Sequence, residues 1–208
     1  SFWNNLDAFI VLNTFEVNFV RRFIPILKEW KSKISSGELG EFIYGNISYG
    51  KGLLTNCSHF INLAQNWLGK LHVYKKLSLG AAYNNYDFES SFVLKKESNN
   101  ALIGVYSIGG YGLRAGELDL WFEKGRLCLL NNGNNLAFWP RISNNNRFET
   151  FDSLAIEPEM ISIDISKSQY YVLDQISQNY INQTKVGLLT SFEDSFKTME
   201  IIDIVLNE

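Results

Sequence analysis

The stretch Tyr49-Gly-Lys-Gly-Leu-Leu-Thr-Asn-Cys-Ser-His59-Phe-Ile-Asn-Leu-Ala-Gln-Asn-Trp-Leu-Gly69 runs a glycine-flanked loop straight into an amphipathic helix. Phe60, Leu63, Ala64, Trp67 and Leu68 recur at the spacing of one buried helical face. Thr55, His59, Asn62 and Asn66 fall on a different face, as polar neighbours three or four residues apart. Glu41 to Tyr49, just before the loop, reads as a strand. The unit is therefore strand, loop, helix, with a histidine in the helix's first turn. A neutral imidazole there, with polar side chains beside it, suits gripping and deprotonating a sugar-sized polyol. The plainer reading is a histidine that satisfies local hydrogen bonds at a helix start.

Outward from this unit, Leu6 to Glu16 is apolar and branched, and reads as a strand. Phe23, Ile26, Leu27, Trp30 and Ile34 repeat at helical spacing, and Gly37 is placed to stop that helix. From His72 to about Ile165 the pattern becomes strand-like. Runs at Glu89 to Lys95, Leu102 to Ile108, Glu117 to Glu123 and Arg126 to Leu130 are separated by Gly or Asn turns, with no helix between them. Consecutive strands without crossover helices favour an antiparallel sheet. Gly109-Gly110-Tyr-Gly112 lacks the strand-then-helix setting of a phosphate loop and reads as a hairpin turn. Ser166 with Gln169 reads as a capping box that opens a helix to about Thr184. Thr190 with Glu193 opens another that carries Phe196, Met199 and Ile202 or Asp203. The fold class expected is α+β: a large, open, mainly antiparallel sheet with helices packed on one face.

Composition narrows the function. The 208 residues are 46% hydrophobic and 20% charged, which describes a folded domain with a sizeable core. A net charge of −3 with scattered Lys and Arg argues against nucleic acid or an anionic membrane as partner. No apolar run approaches the roughly 20 residues needed to span a bilayer, and no signal peptide is visible. Cys57 and Cys128 make neither a metal spacing nor a disulfide framework, so a cytoplasmic location is expected.

His59 is the candidate catalytic residue. Candidate substrate-binding residues are Tyr49, Lys51, Thr55, Asn56, Asn62 and Arg22. Lys51 either bonds a substrate oxygen or is simply solvated. Asn56 is a helix cap or a substrate contact. Of Arg21-Arg22, one clamps a ligand or braces a domain contact, or the pair is exposed and does neither. His72, at the start of a strand with no polar company, reads as structural. Trp121, Phe122, Phe138 and Trp139 read as core or as an oligomer face, and the density of Leu118 to Phe122 and Leu127 to Leu130 predicts self-association through the sheet.

Four motifs in order resemble the second domain of the Gfo/Idh/MocA oxidoreductases. They are Val17-Asn-Phe-Val-Arg-Arg-Phe-Ile-Pro25, Ser36-Gly-Glu-Leu-Gly40, Tyr49-Gly-Lys-Gly-Leu-Leu54 and Ser58-His-Phe-Ile-Asn-Leu63. The ending Thr190 to Asp203 is similar to that family's closing helix. The resemblance implies that residues 18–208 form a substrate-binding and oligomerisation domain. It implies that residues 1–17 are the connection from a dinucleotide-binding domain absent here. It implies NAD or NADP in the full-length protein, bound mainly by that other domain, with no cofactor expected in this chain alone. This chain alone is expected to be inactive. The family's histidine falls on His59, which would bind a sugar hydroxyl or assist proton removal. Many members carry Asp four residues before and three residues after that histidine, where this chain has Thr55 and Asn62. The expected partners are a sugar-like substrate and further copies of the chain. The alternative to the oxidoreductase half is a non-catalytic carbohydrate-binding or dimerisation module.

Overall fold

The computed structural model describes residues 18–109, 113–143, 151–182 and 192–207. The strand expected at Leu6 to Glu16, the connection at 1–17 and the Thr190 end of the last capping box lie outside the described residues.

A short 3₁₀ turn, Val20–Phe23, leads into α1 (Pro25–Ser35). Proline at the first helical position starts α1 because it needs no N–H partner there. The helix ends in paired bonds, Gly37 N–H to Ile34 O at 3.1 Å and Glu38 N–H to Lys33 O at 3.1 Å, with Gly37 at φ 75°. This is the termination anticipated from the sequence, since only glycine takes the left-handed position there without strain.

Next come β1 (Phe42–Tyr49), α2 (Ser58–Leu68), β2 (Leu71–Ser78), β3 (Ser91–Lys96) and β4 (Leu102–Ser107). They are followed by β5 (Gly116–Phe122), β6 (Gly125–Leu130), β7 (Asn135–Ile142), β8 (Ser153–Leu154) and β9 (Glu159–Ser162). Two helices, α3 (Ser168–Ile181) and α4 (Phe192–Asn207), close the described chain. Among the described residues the strands form one sheet in the order β2-β3-β4-β1-β5-β6-β7-β8, with β9 also paired to β7. Only β1 and β4 run parallel, Ile47 facing Val105; the other pairs are antiparallel.

This order corrects one expectation. The segment around Gly109 joins β4 to β5, but β1 lies between those strands, so the connection is not a hairpin turn. Its residues 110–112 lie outside the described set. A second correction concerns α3. Its entry is capped by Asp164, whose carboxylate accepts from Ser166 N–H, and not by a Ser166–Gln169 box. Gln169 instead accepts from Asn18 Nδ2 at 3.2 Å. The aspartate wins because it stands one position outside the 3₁₀ turn Ile165–Lys167 that precedes the helix.

The core lies between one face of the sheet and helices α1, α2 and α4. Ile47, Leu94, Ile103, Leu118, Leu120, Leu127 and Leu129 meet Leu27, Trp30, Phe60, Leu63, Ala64, Ile201 and Val205, all buried. The five apolar positions that defined α2 in the sequence are all in this core. Trp67 also donates its indole N–H to Leu27 O at 3.2 Å, tying α2 to α1.

The aliphatic residues of β5 and β6 therefore do not form the oligomer face expected of them. Leu118, Leu120, Phe122, Leu127 and Leu129 point inward, while Asp119, Trp121 and Arg126 point to the open side. β5 alternates as a sheet covered on one side requires, and β6 departs from that only at Cys128, which is buried against Asp119. The open side carries a different cluster. Tyr44 stacks on Trp121 with centroids 5.7 Å apart, and Arg126 lies 5.3 Å from the Trp121 ring and 5.2 Å from that of Trp139. Asp119 accepts two bonds from Arg126, both at 2.9 Å.

Candidate functional site

The loop between β1 and α2 is shaped by two carboxylates that sequence reasoning missed. Asp87 is fully buried and accepts from Leu54 N–H (2.8 Å), Thr55 N–H (2.9 Å) and Thr55 Oγ1 (2.8 Å). Glu89, also buried, accepts from Lys51 N–H (2.7 Å), Gly52 N–H (3.1 Å) and the Ser107 hydroxyl. Both come from the segment between β2 and β3, more than thirty residues away in sequence. A helical start leaves N–H groups without partners, and anionic acceptors there are favoured by the helix dipole as well. The loop then widens into a single π-type turn, Leu53–Cys57, before α2 begins at Ser58. Such turns occur often at functional sites. Gly52 has φ 86°, and a Cβ there would lie 2.2 Å from Asp87 Oδ2, so glycine is required twice over.

His59 sits in the first turn of α2, half-buried, with its ring edge-on to Phe19 at 5.5 Å. Its Nδ1 is buried and has no hydrogen-bond partner. Burial first, and the neighbouring Arg21 guanidinium second, lower its pKa to about 4. The imidazole is therefore neutral at pH 7, presenting one N–H donor and one bare nitrogen.

Arg21 is buried beside it. Its guanidinium lies 4.2 Å from the centroid of the Phe60 ring, and Nη2 donates to Asn132 O at 3.3 Å. Its Nε is buried without a partner. Burial, then repulsion from Arg114, lowers its pKa to about 10, so it remains charged at neutral pH.

The other candidates fall into separate networks. Tyr49 is fully buried and donates its hydroxyl to Ser90 O at 2.6 Å. Asn56 is buried and donates through Nδ2 to Gly50 O (2.8 Å) and Ala115 O (2.7 Å), joining the loop to the start of β5. Asn62 is fully buried, accepting from Arg22 Nε and donating to Thr198 Oγ1 at 2.9 Å. Arg22 also pairs with Asp194 at 3.0 Å, so it braces α2 against α4. Lys51 and Thr55 are exposed on the loop. Thus Tyr49, Asn56, Asn62 and Arg22 are spent on internal bonds; Thr55 is exposed but donates its hydroxyl to Asp87, Lys51 is exposed, and His59 is half-buried. His72 is exposed on β2. Of the arginine pair flagged in the sequence, it is Arg21 that stands beside His59. A two-residue motif does not reveal which member turns inward; the 3₁₀ turn decides it.

Cys57 and Cys128 are both buried free thiols. Burial pushes Cys128 up to about 12, and it donates to Asp119 at 3.3 Å, so neither thiol is a nucleophile at neutral pH. Among the described residues no group of His, Cys, Asp and Glu is placed to hold a metal ion, and no helix is long and apolar enough to cross a membrane.

Neither a protein-family model nor a curated protein matches the sequence. Solved structures do share the fold. The super-repressor mutant of Gal80p from Saccharomyces cerevisiae is 16% identical with a TM-score of 0.68, covering 97% of this chain and 65% of that one. Levoglucosan dehydrogenase, solved with NADH and levoglucosan, is 13% identical with a TM-score of 0.68, covering 92% of this chain and 64% of that one. A dehydrogenase (MviM) from Clostridium difficile is 17% identical with a TM-score of 0.60, covering 92% and 61%. The chain thus spans a little under two thirds of these solved chains, and it shares with them its α+β fold, a large, mainly antiparallel sheet with helices.

Proposed function

We propose that the chain is the substrate-binding half of an NAD(P)-dependent oxidoreductase acting on a hydroxyl of a sugar, nucleotide sugar or polyol. The observation that carries this reading is the His59 corner. A neutral imidazole with an unbonded nitrogen stands at the end of a loop held by two buried carboxylates. The fold is shared with levoglucosan dehydrogenase, solved with NADH and either levoglucosan or L-sorbose.

In this reading a substrate hydroxyl bonds His59, and Lys51 and Thr55 on the exposed loop contact neighbouring oxygens. Tyr49, Asn56, Asn62 and Arg22 are positioning residues that hold the loop and α2 in place. Among the described residues no strand passes through a glycine-rich turn into a helix of the kind that cradles a pyrophosphate. The proposal assigns the dinucleotide to another domain. The two free thiols suit a cytoplasmic place for the protein.

A second reading, a non-catalytic sugar-binding or dimerising module, draws on one feature. His59 has Arg21 beside it, and at Thr55 and Asn62 no carboxylate is present to raise its basicity. One solved protein with this fold is a repressor. The discriminating experiment is a panel of sugars, polyols and sugar acids, incubated with NAD⁺ or NADP⁺ and the full-length protein. Reduction of nicotinamide on at least one substrate is expected. Saturable sugar binding with no reduction on any would replace the first reading by the second.

We further propose that the open face of the sheet joins copies of the chain. Its Tyr44, Trp121, Arg126 and Trp139 are of the types that dominate interface energetics. Sedimentation at tens of micromolar is expected to show an assembly larger than a monomer, and Trp121→Ala is expected to shift it toward monomer. A wild-type monomer at that concentration would refute the interface.

A further inference from the structure

Among the described residues, four that are not glycine have positive φ. Three are asparagines, Asn100, Asn131 and Asn132, whose short polar side chain tolerates that region. The fourth is Lys51, at φ 71°. A lysine is strained there and a glycine would not be. Glycine stands on either side, where it is required. A Cβ on Gly50 would lie 2.4 Å from Leu113 O, and one on Gly52 would lie 2.2 Å from Asp87 Oδ2. Of the three positions in this bend, 51 alone has space for a side chain, and it carries one against its backbone preference.

The surroundings hold that conformation in place. Six consecutive N–H groups are bonded. Gly50 donates to Ala115 O at 3.0 Å, on the connection from β4 to β5. The other five donate to the connection from β2 to β3: Lys51 and Gly52 to Glu89, Leu53 to Phe88 O at 2.9 Å, and Leu54 and Thr55 to Asp87. The bend is thus clamped from both sides, while the Lys51 side chain is exposed and has no partner among the described residues. Strain that the structure over-determines in this way gathers at ligand clamps. Beside the bend stands Tyr83. Its ring lies against Gly52, where a Cβ would be 2.9 Å from Tyr83 Cδ1. Its N–H donates to Asp87 O at 2.8 Å, so the turn whose carboxylate holds the loop also fixes this tyrosine. Tyr83 is nevertheless 41% exposed, an ordered aromatic residue left open next to a free ammonium group.

We propose, resting on the substrate-binding reading above, that Lys51 and Tyr83 together bind a cyclic sugar. The ring of Tyr83 receives the apolar C–H face of a pyranose, and Lys51 Nζ donates to adjacent hydroxyls of the same ring. Both groups are open to solvent and fixed by backbone bonds, so the ligand reaches them without a rearrangement of the loop. An open-chain polyol offers the hydroxyls but no flat face, and it loses more conformational freedom on binding. The substrate class is thus the pyranose and not its alditol.

Saturation-transfer NMR on the chain tests this, with the methyl pyranosides of glucose, galactose and mannose and with glucitol, galactitol and mannitol as probes. At least one pyranoside is expected to bind about tenfold tighter than its alditol, with saturation concentrated on the protons of one ring face. Tyr83→Ala is expected to remove that preference, and Tyr83→Phe, which keeps the ring, to retain it. Lys51→Gly separates binding from scaffold. Its Tm is expected to rise by roughly 1–4 °C as the strain is relieved, while pyranoside affinity falls about tenfold. A residue that served only the fold would not give a more stable protein that binds less. A Lys51→Gly Tm below that of wild type overturns the strain on which the site rests. A pyranoside that binds no tighter than its alditol, or undiminished in Tyr83→Ala or Lys51→Gly, overturns the Lys51–Tyr83 site and leaves the sugar reading standing. Binding by none of the six overturns the site as well, and the sugar reading is then decided separately by nicotinamide reduction on the wider panel.

Discussion

His59→Ala in the full-length protein is expected to lower kcat/KM by about 10²-fold or more on its hydroxylated substrate, the range for loss of a positioned proton-handling group. The stability cost should be small, about 1 kcal/mol or less. The residues that make the buried face of α2 are untouched, and the truncation chiefly removes the edge-on packing of the imidazole against Phe19. Removing His59 also removes a buried nitrogen that has no partner. Near-normal kcat/KM in the variant would make the loop and α2 mere scaffold.

The same residue leaves a signature in pH. Its folded pKa of about 4 lies below the ordinary value of 6.5. Below pH 6.5 the unfolded chain takes up a proton that the folded chain refuses, so stability falls with pH until the folded site also titrates near 4. The full loss is on the order of 3 kcal/mol. Denaturant melts of wild type and His59→Gln between about pH 7 and 4 check it, since the variant should lack that component. Parallel curves for the two proteins would contradict the buried, neutral imidazole.

Asp87→Ala is expected to be the most damaging single change to the fold near the site. It deletes three hydrogen bonds to a buried carboxylate and leaves the N–H groups of Leu54 and Thr55 without their acceptor. Bonds to charged groups contribute roughly 1.5–3 kcal/mol each in favourable cases, and they are not additive. A loss of about 3 kcal/mol is expected, or roughly 6–12 °C in Tm for a chain of this size. Asp87→Asn should lose less, because one acceptor oxygen remains. Because the loop leads directly into His59, sugar binding should weaken in parallel. A Tm within about 2 °C of wild type would show that the loop holds its shape without this carboxylate.

The local elements were legible in the sequence because they are set by nearest neighbours. The helical spacing of Phe60, Leu63, Ala64, Trp67 and Leu68, the strand before Tyr49 and the stop at Gly37 each depend on a few adjacent residues. The mainly antiparallel sheet followed from strands with no helices between them. Long-range pairing was not legible in that way. The insertion of β1 between β4 and β5 turns an apparent hairpin into a crossing, and no local signal encodes that. No local signal marks Asp87 or Glu89, the latter standing at the start of the strand expected at Glu89 to Lys95; only the fold carries them to the N–H groups of residues 51–55.

Polarity marked Tyr49, Asn56, Asn62 and Arg22 as candidate ligand contacts. Tertiary structure assigns them to internal bonds, because buried polar atoms must be paired. Among the described residues it left Arg21 Nε and His59 Nδ1, on neighbouring side chains, among the few buried polar atoms without a partner. The sequence by itself thus determined the fold class, the α2 face and His59 as a candidate. Only the tertiary structure decided which polar side chains are structural and which stand with free hydrogen-bonding capacity, since that depends on partners distant along the chain.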